Sequence, residues 1–97
     1  MSLEGKYITL LENLEFAMMI THAMEEMGEL TQSLSKYLRD VERKNQLRLK
    51  DDIAEEICDV EIFLEKIKKY LELQEDVDRY KAVKIRRHSA YVQGDKL

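Results

Sequence analysis

The sequence predicts an all-α protein, an antiparallel bundle of three to four helices completed by oligomerisation. Three observations carry that prediction. The 97 residues include no proline and only three glycines. An all-β chain would need a turn signal about every 8–12 residues. Apolar residues recur at three- and four-residue intervals over long stretches, the period of an α-helix. A chain of this size removes only roughly 60–65% of its unfolded surface from water, so its own core is marginal and self-association is expected.

The first helix is expected over about 7–40. There Leu10, Leu14, Ala17, Ile20, Met24 and Met27 are followed by Leu34, Leu38 and Val41 at mostly helical spacing. Gly28 falls inside this pattern at a cost of about 1 kcal/mol relative to Ala, which suggests a close approach there. The pattern leaves open a kink at Thr21–His22 that would divide the segment into two helices. Phe16-Ala17-Met18-Met19-Ile20 is apolar around the whole helix circumference. Such a segment lies either at the centre of a bundle or against a second chain, and the small size of the protein favours the second chain.

A polar, basic connection is expected at about 43–47, with Asn45 as the break signal. Asp51 or Asp52 is the expected N-cap of the next helix, whose first turns are rich in acids. That helix carries Ile53, Ile57, Val60, Leu64, Ile67 and Leu71 on one face and frays near 73–75. The last helix is expected at about 76–91, with Val77, Tyr80, Val83 or Lys84, and Arg87 on related faces and Gly94 past its end. With no repeat and no low-complexity stretch, 1–97 reads as a single domain.

A formal net charge of −4 disfavours a general nucleic-acid binder. Cys58 is the one cysteine, which excludes a disulfide framework and fits a reducing, cytoplasmic setting. No apolar run approaches the roughly 18 residues of a membrane span, and the first residues lack a signal-peptide core, so no membrane partner is expected. The charges are segregated. Residues 51–65 hold seven acids and no base, and residues 79–87 hold five bases and no acid. Two helices pairing electrostatically would account for this, and so would an acidic metal site beside a basic, phosphate-binding helix.

Two carboxylate clusters stand out, Glu25-Glu26-Met27-Gly28-Glu29 and Glu55-Glu56-Ile57-Cys58-Asp59. Residues three apart share a helix face, with β-carbons about 5–6 Å apart. Glu26 with Glu29, and Glu56 with Asp59, therefore form two pincers. If the two helices pack antiparallel, four carboxylates meet and repel unless protonated or neutralised by a cation. Oxygen-only ligands suit Mg²⁺, with Mn²⁺ as a substitute. A solvated acidic face is the alternative, and for Glu25, Glu55 and Glu61 it is the favoured reading. At roughly 100° per residue, Glu56 lies about 50° from the centre of the arc of Ile53, Val60, Leu64 and Ile67. A carboxylate within an apolar stripe is costly unless paired, metal-bound or protonated. Glu26 borders the apolar arc of its own helix, and Glu29 lies further round.

The run HAMEEMGELTQSLSKYLRD, followed by EEICDVEIFLEKI, sets Glu-Glu-x-x-Glu and Glu-x-x-Asp in order with 26 residues between them. This resembles the signature of the MazG-like, all-α nucleoside triphosphate pyrophosphohydrolases, as do the surrounding Gly28-Glu29-Leu30 and Asp59-Val60. The segment VKIRRHSAYV is similar to that family's final, basic helix, and the resemblance spans about 22–92. It implies acidic motifs buried between antiparallel helices and holding Mg²⁺, with Glu26, Glu29, Glu56 and Asp59 as ligands. Glu25 becomes a supporting residue or the general base for water. Lys84 and Arg87 match the pair that approaches the phosphates, with Lys81 and Arg86 as near alternatives. The implied reaction is NTP or dNTP + H₂O → NMP or dNMP + pyrophosphate, carried out by a homodimer or homotetramer. The family's base pocket lies partly at a subunit interface near the first helix, where Phe16, Met19 and His22 are candidates. Glu61 and Glu65 interrupt the aliphatic run that often follows the second motif in the family.

Other chemistry has less support. The acids around Cys58 should raise its thiol pKa, so it reads as a small packing residue. His22 and His88 are too few and too isolated for a zinc cluster. Tyr7, Tyr37, Tyr70, Tyr80 and Tyr91 read as amphipathic edge residues. Two further functions fit the pattern: a non-catalytic helical interaction or regulatory module that docks a partner on its acidic face, and a same-fold enzyme acting on phosphoribosyl-ATP, dUTP or dCTP. A docking face has no need of a semi-buried acid such as Glu56.

Overall fold

The computed structural model describes residues 3–90, which form three helices, α1 (Leu3–Leu38), α2 (Gln46–Tyr70) and α3 (Gln74–Ala90). The described residues contain no strand, in keeping with the all-α prediction, and no helix among them is long and apolar enough to cross a membrane. The chain divides into two compact units, Met1–Glu65 and Lys66–Leu97.

In the first unit, α1 is one unbroken helix of 36 residues, about 54 Å long. No break occurs at Thr21–His22. The Thr21 hydroxyl donates to the Ala17 carbonyl at 2.8 Å, so its polar atom is satisfied without interrupting the helix. Glu4 in the first turn and Lys36 in the last suit the helix dipole. The following connection contains Arg43 at φ 56°. α2 starts after Asn45, whose carbonyl accepts the Leu49 N–H at 2.9 Å. Asparagine is among the preferred N-cap residues. Asp51 and Asp52 consequently lie inside α2 and do not cap it, because Asn45 ends the connection first.

α1 and the first part of α2 run antiparallel. The register is fixed by His22 against Phe63, with ring centroids 5.4 Å apart, and by Glu26 and Glu29 facing Glu56. The side of α1 turned inward is half-buried at Phe16, Ile20, Glu26, Leu30 and Tyr37, with Ala23 at its centre only 1% exposed. On α2 the inward stripe is Ile53, Glu56, Val60 and Phe63, at three- and four-residue spacing, with Leu49 and Val60 buried.

This corrects the core expected from periodicity. On α1 the regular apolar positions Leu10, Leu14, Met24, Met27, Leu34 and Leu38 are all exposed. The helix is apolar on two sides, and α2 packs against the other one. Within Phe16–Ile20, Phe16, Met19 and Ile20 are half-buried whereas Ala17 and Met18 are exposed. On α2, Ile57 and Leu64 are likewise exposed, as is Leu71 just past the helix end.

In the second unit, α2 ends at Tyr70, short of the end expected from fraying near 73–75. The Leu73 N–H bonds the Lys68 carbonyl at 2.8 Å and the Glu72 N–H bonds that of Lys69 at 3.3 Å, the paired bonds of a Schellman motif. Glu72 holds the left-handed position, φ 55°, that glycine fills at lower cost. α3 starts at Gln74, two residues earlier than expected. Glu75 and Asp76 occupy its first turn and Arg87 and His88 its last, again with the dipole. The expected helix end at Tyr91 and the stop at Gly94 lie outside the described residues. Glu72→Gly is expected to raise unfolding free energy by about 1 kcal/mol in chemical denaturation, through relief of left-handed strain.

Candidate functional site

Glu26 and Glu29 stand one turn apart on α1, and Glu56 faces them from α2. One carboxylate oxygen from each lies within 4.8 Å of the other two. Glu26 and Glu56 are half-buried and Glu29 is exposed. The two half-buried acids sit within the inward stripes and not at their edges. Glu26 lies between Ala23 and Leu30, and Glu56 between Ile53 and Val60. The sequence arc misplaces Glu56 because it includes Leu64, which is exposed and pulls its centre away from the true contact line.

Glu26 Oε2 and Glu56 Oε2 are both shut off from solvent and have no hydrogen-bond partner. Among the described residues the remaining side-chain atom of this kind is Asp40 Oδ2, near the α1–α2 connection. Burial, then the charge of Glu29, then that of Asp59 raise the Glu26 carboxyl above its ordinary range. A hydrogen bond to Glu29 adds to the rise, and His22 one turn away opposes it. Burial is also the main cause of the rise at Glu56, followed by the charges of Glu29 and Glu26, a hydrogen bond to Glu29, and Asp59. Three acids this close share protons or a cation, because full ionisation of all three in a half-buried place is unfavourable.

The donor set fits a hard divalent cation. It is all oxygen, it belongs to two helices, and two of its oxygens are buried and unpartnered. Asp59, half-buried one turn along α2, stands beside this trio, close enough for its charge to raise both Glu26 and Glu56. Glu25, Glu55 and Glu61 are exposed.

Lys81, Lys84, Arg86 and Arg87 are exposed on α3, in the second unit. In that unit Arg79 pairs with Asp76 at 3.0 Å and lies over the Tyr80 ring at 5.4 Å. Cys58 is exposed, so it does not serve as the packing residue the sequence suggested. It falls on the side of α2 turned away from Glu56. Of the tyrosines with described side chains, Tyr37 is half-buried and Tyr70 and Tyr80 are exposed.

The pairing of His22 with Phe63 was not foreseen. The signal was present, because the antiparallel register that sets Glu29 opposite Glu56 and Glu26 opposite Asp59 also sets His22 opposite Phe63. Both rings lie one turn from the carboxylates, towards the start of α1.

No family model, curated protein or solved structure matches this chain. The family resemblance therefore rests on the two acidic motifs, their order and spacing, and the basic third helix.

The raised carboxyls have a consequence for stability. A group whose folded pKa lies above its unfolded value is destabilising once ionised, so its contribution to stability falls as pH rises through that interval. In chelator, Glu56→Gln is therefore expected to gain melting temperature relative to wild type as pH rises from about 4 to 7. A difference that stays flat or shrinks over that range would remove the repulsion from the description of this site.

Proposed function

We propose that this chain is a Mg²⁺-dependent nucleoside triphosphate pyrophosphohydrolase, converting NTP or dNTP and water to NMP or dNMP and pyrophosphate. The observation that carries the reading is the approach of Glu26, Glu29 and Glu56 to within 4.8 Å, with buried, unpartnered oxygens on two of them. It is supported by the motif order Glu-Glu-x-x-Glu and Glu-x-x-Asp and by the five bases of 79–87.

Glu26, Glu29, Glu56 and Asp59 would hold the cation. A bound Mg²⁺ supplies Lewis acidity to phosphate oxygens and to water. Without neutralisation these carboxylates repel a polyphosphate, so the protein binds its anionic substrate only in the cation-loaded state. Glu25, exposed beside Glu26, is the candidate to accept a proton from water. Lys84 and Arg87 are the groups assigned to the phosphates, where their charge balances the departing pyrophosphate. Water forms a bond to the α-phosphorus while the bond from that phosphorus to the α–β bridging oxygen breaks, and pyrophosphate leaves. An acid set into an apolar stripe has no use on a docking face, which favours this reading over an interaction module.

The test is pyrophosphate release across ribo- and deoxyribonucleoside triphosphates and phosphoribosyl-ATP, with Mg²⁺ and with chelator. Chelator should abolish turnover, and Glu56→Gln should lower it on the order of a hundredfold or more. Lys84→Ala should raise KM by roughly tenfold while leaving cation binding in place. Turnover that ignores chelator and persists in Glu56→Gln would overturn the assignment, as would silence with every substrate.

A further inference from the structure

Apart from the candidate site, the buried side-chain oxygen left without a partner among the described residues is Asp40 Oδ2, just past the end of α1. It belongs to a half-buried carboxylate in the wall of a cleft of about 360 Å³. Tyr37, Leu38, Val41, Arg43 and Gln46 line the rest of that cleft, which lies wholly within the first unit. Leu38 stands nine residues beyond Glu29, about 14 Å along the helix axis, so the cleft is separate from the carboxylate trio.

The connection over 39–45 holds three cations, and none of them pairs with Asp40. Arg39 turns back on its own helix, its Nε donating to the Ser35 carbonyl at 3.3 Å. Lys44 pairs with Glu42 at 2.9 Å. Arg43 lines the cleft, and its side chain makes no hydrogen bond or ion pair among the described residues. Its backbone is held instead. The Arg43 N–H donates to the Asp40 carbonyl at 3.3 Å, and its φ of 56° is a left-handed conformation that glycine or asparagine holds with less strain. A turn alone would be better served by either of those residues, so a guanidinium at this position is accounted for by a use beyond the turn.

We propose that this cleft binds a free α-amino acid with an apolar side chain, its ammonium on Asp40 and its carboxylate on Arg43. One small molecule then supplies both missing partners. The ammonium gives Asp40 a charged donor, and the end of α1, the negative pole of the helix dipole, favours a cation at the same place. Rotation about the Cβ–Cγ bond, which is soft in aspartate, presents Oδ2 to the cleft. The ligand carboxylate meets the planar donor fork of Arg43, which suits it in two parallel hydrogen bonds. Its side chain lies against Leu38 and Val41, 84% and 89% exposed, and the half-buried Tyr37. The volume is near the lower end for ligand sites, roughly 300–1,000 Å³, which suits one amino acid and not a longer peptide. A simple amine would leave Arg43 without a partner, and a simple carboxylate would be repelled by Asp40. This inference is independent of the chemistry proposed above.

The test is titration of the isotope-labelled full chain, in chelator, with L-leucine, L-phenylalanine, leucinamide and N-acetylleucine, read by backbone amide shifts. The two amino acids should shift the amides of 37–46 saturably, with Kd on the order of 1 mM or tighter. Leucinamide lacks the carboxylate and N-acetylleucine the ammonium, and each should bind about tenfold or more weakly. Arg43→Gly relieves the left-handed strain, so the fold is kept while L-leucine affinity falls about tenfold or more and leucinamide affinity is unchanged. Asp40→Asn should weaken L-leucine to the same degree and leave N-acetylleucine unchanged. No saturable shift with either amino acid would overturn the proposal. So would leucinamide binding as tightly as L-leucine, or full L-leucine affinity in Arg43→Gly.

Discussion

Three carboxylates share one contact between two helices, and the first unit is arranged around that repulsion. Glu26 and Glu56 occupy positions in the inward stripes where an apolar residue would ordinarily sit, and Glu29 stands at their side. The apolar contact that opposes the repulsion is small. Its buried part is Ala23, Leu49 and Val60, and among the described residues no large side chain is fully buried. Ala23, three residues before Glu26, keeps the two backbones close enough for acids on different helices to meet. A hairpin with so little buried apolar contact is sensitive to the charge state of its acids.

The two faces of α1 differ in character. Glu26 and Glu29 project towards α2, while Met24 and Gly28 occupy the same turns on the outward side.

The helical class, the break at Asn45 and the carboxylate pairs are all readable in the sequence, because each follows from local spacing. Which apolar stripe faces α2 is not. Leu10, Leu14, Met24 and Leu38 form the better periodic pattern, yet they are exposed, while the contact runs through Phe16, Ala23, Glu26 and Leu30. Periodicity reports that a face is meant to be covered and not which partner covers it. The same limit displaces Glu56 from the middle of its stripe, since the arc counts the exposed Leu64 as core. Asp51 and Asp52 suggested a cap where the helix was already under way. The acids around Cys58 argue against a nucleophile but do not make it a packing residue, because its angle on α2 turns it outward.

The most direct measurement of the central claim, that these carboxylates form a cation site, is calorimetric titration of the chelator-treated protein with Mn²⁺ at two pH values. Wild type should show saturable binding with proton release that grows as pH falls into the range of the raised carboxyls. Glu56→Gln should lose that binding, and Asp52→Asn, an exposed acid on the same helix, should keep it. Equal weak isotherms for all three proteins, with no proton release, would make the cluster an acidic surface and nothing more.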